Sequence, residues 1–130
     1  MILLIQIMGY GFISLAIIHA TFPKIFNWKK ELANLSLVNQ QLMTVHTFFI
    51  ALIIFLIGLL CITSAPELTS TNLGRRMSLG LAVFWGIRFL TQLFWYSPKL
   101  WKGKLIETSV HIFFTILWLS ITVIFGIAAS

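Results

Sequence analysis

The sequence predicts an all-α integral membrane protein with four transmembrane helices arranged as two tandem hairpins. Three observations predict it. Of 130 residues, 59% are hydrophobic, only 9% are charged, and none is aspartate, whereas about a quarter of a soluble domain is charged. Mean hydropathy is +1.00, and apolar runs recur four times, at residues 2–22, 42–63, 77–95 and 105–129. Each is close to the roughly 20 residues that cross a ~30 Å hydrocarbon core. All three prolines, Pro23, Pro66 and Pro98, fall between the runs, where a residue that lacks an N–H and disfavours helix before it belongs. Together these describe one four-helix domain over residues 1–130.

The first run opens on no basic segment and closes on no small-residue cleavage site, so it is expected to remain a mature helix rather than a signal peptide. Residues 24–36 mix Lys24, Lys29, Lys30 and Glu31 with Phe26, Trp28, Leu32 and Leu35, a composition that suits a short amphipathic helix lying in the interface. Asn34 or Ser36 can cap the second span. Residues 64–76 read as a short Ser/Thr-rich loop in which Thr71 or Asn72 caps the third span. Tyr96 and Trp101 stand among Lys99, Lys102 and Lys104, the usual mixture at a membrane boundary. Gly9, Gly11, Gly80 and Gly86 read as points of close helix packing. Trp85, Trp95 and Trp118 read as lipid-facing or interfacial rings.

The net charge of +6 comes from nine Lys and Arg. Spread through this much Leu, Ile and Phe, they form no continuous basic face, so lipid headgroups are the expected partner and nucleic acid is not. Lys24, Lys29, Lys30, Lys99, Lys102 and Lys104 fall on one side of the membrane, Arg75 and Arg76 on the other. The positive-inside rule then makes the six-lysine side cytoplasmic and puts both termini outside, in a bacterial plasma membrane. The single cysteine, Cys61, excludes an internal disulfide and a cysteine-based zinc knuckle. No Walker, G-x-S-x-G or HExxH pattern is present.

The two hairpins share a frame. Pro23-Lys24-Ile25 is followed by Val45-His46-Thr47-Phe48-Phe49, and Pro98-Lys99-Leu100 by Val110-His111-Ile112-Phe113-Phe114. A two-helix repeat returns the chain to its starting side, so its copies are related by an axis along the membrane normal. His46 and His111 are then expected at matching depth, facing into the bundle.

The polar side chains gather in the lysine-side half. His19 lies near the end of the first span. Arg88, Gln92 and Tyr96 share one face of the third at a spacing of four, and Glu107 precedes His111 by one turn. A charge well inside a span costs at least ~2.5–3.5 kcal/mol, and Glu107 is the favoured partner for Arg88. This His/Arg/Glu cluster suggests a cofactor site. His46 and His111 would ligate haem b axially, with Arg88, Gln92 and Tyr96 lining the site and Arg88 neutralising a propionate. Alternatively His19, His46, His111 and Glu107 would hold a divalent metal. The two-hairpin plan with facing histidines is similar in architecture to small membrane cytochromes. A second reading is an accessory subunit of a larger membrane complex, or a homo-oligomer, binding a quinone or lipid headgroup. A small transporter ranks third, because the other half of the membrane is nearly apolar.

Overall fold

A backbone that crosses lipid must satisfy its hydrogen bonds within itself, which leaves the helix as the solution for an open chain. The computed structural model describes residues 1–96, 99 and 103–130. Among these residues the chain forms seven helices and no strand: α1 (Ile2–Ala20), α2 (Phe22–Ile25), α3 (Trp28–Glu31), α4 (Leu37–Thr63), α5 (Ala65–Ser70), α6 (Asn72–Phe94) and α7 (Leu105–Ala129). Of these, α1, α4, α6 and α7 are long and apolar enough to span a membrane. The chain is an all-helical integral membrane protein. Pro98, Leu100, Trp101 and Lys102, which carry part of the repeat frame and of the expected boundary, lie outside the described residues.

The helices begin and end where local chemistry allows, not where hydropathy does. α4 starts at Leu37 and α6 at Asn72, each five residues before its apolar run, because polar residues such as Asn39, Gln40 and Gln41, or Arg75 and Arg76, end an apolar run without ending a helix. Ser36 caps α4, its Oγ accepting from the Asn39 N–H at 3.3 Å. The expected amphipathic helix over 24–36 is instead two single turns, α2 and α3, broken at Asn27, whose φ of 49° and ψ of 53° are left-handed. Pro23 sits in the first turn of α2, where no N–H is needed. The expected 64–76 loop contains α5, which opens at Ala65 and has Pro66 and Glu67 in its first turn, both ordinary starting signals.

Contacts divide the chain into two compact units, Ile5–Ala65 and Met1–Leu4 with Pro66–Ser130. In the first, α1 buries Ile5, Met8, Phe12 and Leu15, and α4 buries Thr47, Ala51, Ile54, Gly58 and Cys61. Both stripes step by threes and fours, as a helix facing a neighbour requires. The two helices touch backbone to backbone. A Cβ added to Gly9 would stand 2.8 Å from the Gly58 carbonyl oxygen, and one added to Gly58 would stand 2.8 Å from that of Gly9. Lipid provides no hydrophobic drive between helices, so such small-residue contacts are what let them approach. The packing role expected of Gly11 and Gly80 is not realised, since an added Cβ there meets nothing within 4 Å.

In the second unit, Thr71 joins α5 to α6. Its Oγ1 accepts from the Gly74 N–H at 2.9 Å and donates to the Glu67 carbonyl at 2.8 Å. Any side chain at Gly74 would collide with that carbonyl. Ser78, fully buried, donates to the Leu68 carbonyl at 3.0 Å. Beyond this joint α6 and α7 run antiparallel, with Trp85 beside Trp118, Gly86 beside Thr122, and Gln92 beside His111.

Candidate functional site

The site lies on the α6–α7 hairpin. Arg88 is six residues from the end of α6 and His111 six from the start of α7, so each Cα is ~9 Å inside its helix at 1.5 Å per residue. Gln92, one turn after Arg88 and buried, stands between them. Its Oε1 accepts from Arg88 Nη1 at 3.3 Å and faces the Trp118 indole N–H at 3.4 Å. Its Nε2 lies 2.8 Å from His111 Nδ1.

That arrangement fixes the protons. A guanidinium and an indole can only donate, so the amide atom they meet must be the oxygen, and the atom facing His111 must be the NH₂. The amide therefore donates and Nδ1 accepts, which places the ring proton of neutral His111 on Nε2. The reversed amide would set its NH₂ against two donors.

Aromatic rings complete the surroundings of Arg88. Its guanidinium carbon lies 5.0 Å from the Trp118 ring centre and 5.5 Å from that of Tyr96, within the range of cation–π attraction. Trp118 is itself stacked on Trp85 at 5.1 Å and on Phe114 at 5.5 Å. Trp85 and Trp118 are thus not lipid-facing as expected. They are 3% and 4% exposed, while Trp95 is exposed. Trp118 follows His111 by seven residues, two turns along the same face, and that spacing was the available signal for it.

The structure therefore brings together Arg88, Gln92, Tyr96 and His111. Glu107 is exposed one turn before His111, and among the described residues no ion pair joins it to Arg88. Tyr96 contributes a ring face to the guanidinium. His46 is exposed on α4, and His111 is half-buried beside Gln92. The repeat frame does not carry the network either. Gln92 stands six residues and Arg88 ten before Pro98, and the residues so placed before Pro23 are Ile17 and Ile13. His19, half-buried near the end of α1, has Nδ1 2.8 Å from the Leu15 carbonyl and its ring 4.6 Å from Phe22. A carbonyl only accepts, so Nδ1 donates here, an ordinary helix-end arrangement. Among the described residues no group of three or more His, Cys, Asp or Glu side chains is gathered to hold a metal. No family model matches the chain, and neither does any curated protein or solved structure.

Proposed function

We propose that this integral membrane protein binds the oxygen-bearing headgroup of a membrane amphiphile, a quinone or a lipid, on the α6–α7 hairpin. The observation that carries the reading is the state of Arg88. It is a fixed cation within an apolar span, with no carboxylate beside it among the described residues and one hydrogen bond, to Gln92. A guanidinium has five N–H donors and does not give up its charge. Its insertion costs at least ~2.5–3.5 kcal/mol, and cation–π contact offsets only about 0.5–2 kcal/mol. An acceptor-rich ligand would supply the rest.

The haem reading is less well supported. An imidazole that ligates a metal almost always donates its other N–H to an acceptor. His111 Nδ1 instead faces the Gln92 amide N–H, so ligation through Nε2 would require a different tautomer and disruption of the bonds to Arg88 and Trp118. The six-lysine side would be cytoplasmic, where anionic headgroups concentrate.

Organic extraction of the purified protein tests this reading. One class of amphiphile should be retained by the wild type and lost from Arg88→Gln. A Soret band from the purified protein that disappears in His111→Phe would overturn it in favour of haem.

A further inference from the structure

We infer that the group received by Arg88 is a phosphate, presented by a lipid headgroup rather than carried free in solution. This rests on the headgroup-binding reading and names its ligand chemistry.

Charge is the first ground. The residues that surround the guanidinium, Gln92, Tyr96 and Trp118, are neutral, and Glu107, the nearest carboxylate in sequence, stays exposed and apart. A quinone carbonyl would satisfy donors but leave the positive charge uncompensated. A phosphate does both, since its paired oxygens match the planar fork of N–H groups and charge-assisted bonds are roughly twice as strong as neutral ones.

Position is the second ground. The partners of Arg88 on its own helix, Gln92 and Tyr96, both lie toward the C-terminal end of α6, and Tyr96 lies beyond the last helical residue, Phe94. The guanidinium is therefore turned toward the membrane boundary, as long cationic side chains are when they reach for the interface. Lipid phosphates lie at that boundary. The Trp118 and Tyr96 rings hold the head of the side chain in place, so a phosphate would meet a fork already ordered. The remaining N–H groups of Arg88, which no described residue engages, are those available to it.

The test uses the full chain in a neutral detergent, titrated separately with dihexanoyl phosphatidylglycerol, inorganic phosphate and a short-tailed benzoquinone. Tryptophan fluorescence and thermal midpoint are read together, because Trp118 borders the site. The phosphatidylglycerol should bind saturably and raise the midpoint, and inorganic phosphate should bind far more weakly. Arg88→Gln should weaken the lipid by about ten- to a hundredfold, as expected for loss of bonds to a charged group. Arg88→Lys keeps the charge without the fork and should fall between.

Gln92→Glu guards against a variant that merely misfolds. It places a carboxylate against Arg88, so the protein should stay folded by circular dichroism and lose the lipid response. Inorganic phosphate binding as tightly as the lipid, with the same dependence on Arg88, would uphold the phosphate and overturn its lipid source. A quinone that saturates in an Arg88-dependent way while both phosphates fail would overturn the inference and leave the headgroup site standing. If no probe responds to changes at Arg88 or Gln92, both readings fall.

Discussion

Gln92 is the joint of the network, and Gln92→Leu tests it most directly. The substitution keeps a buried side chain of similar bulk but removes the acceptor for Arg88 and Trp118 and the donor for His111, at 3.3, 3.4 and 2.8 Å. Hydrogen bonds inside membrane proteins average about 0.6 kcal/mol and reach about 1.7. The short bond to His111 belongs near the upper value and the two longer ones near the mean, which gives a loss of about 2–3 kcal/mol. Unfolding in mixed micelles, followed by circular dichroism, measures it. A double-mutant cycle with His111→Phe should assign about 1.5 kcal/mol of coupling to the 92–111 pair. A loss below about 0.5 kcal/mol, the ordinary range for an inconsequential substitution, together with zero coupling would refute the view that these side chains form one bonded unit.

Other expectations follow from the same geometry. Gly58→Ala should destabilise by about 1–3 kcal/mol, because its methyl meets the Gly9 carbonyl at 2.8 Å and Ile13 at 3.0 Å. Gly11→Ala, with open space around it, should be neutral or stabilising by up to about 1 kcal/mol, and unfolding midpoints of the two variants check the contrast. Nitrogen NMR of the imidazoles in the neutral state should find opposite tautomers, with the proton on Nδ1 in His19 and on Nε2 in His111. Ser36→Ala should cost about 0.5–2 kcal/mol through loss of the α4 cap, and hydrogen exchange of the Asn39 amide should quicken with it.

Much of the fold was legible because lipid demands so much of a sequence. Four apolar runs could be little else, and both helix caps fell on candidates named from side-chain chemistry, Ser36 and Thr71. Hydropathy marks the part of a helix that lipid tolerates, however, and α4 and α6 continue beyond it through Asn39–Gln41 and Arg75–Arg76. α5 was hidden because six residues are too few for an apolar period to show. At the site, the spacing of Arg88, Gln92 and Tyr96 along one face was readable from the 3.6-residue turn. Trp118 was missed because an aromatic ring in a span suits lipid and protein equally well, and only the neighbouring helix decides. The expected Arg88–Glu107 pair failed for a related reason. Matching charge along the chain says nothing about which way a carboxylate turns, and Glu107 turns outward.

The amide at position 92 also fixes which way each hydrogen bond around it points. A guanidinium and an indole only donate and an amide oxygen only accepts, so the row that runs from Arg88 through Gln92 to His111 has a single direction. Gln92 holds its two N–H bonds at any ordinary pH, and Arg88 beyond it does not deprotonate. Neither can reverse its part in the row by gaining or losing a proton. The direction of these hydrogen bonds is therefore set by the amide, and the charge on Arg88 stands at the donor end of a row of fixed polarity.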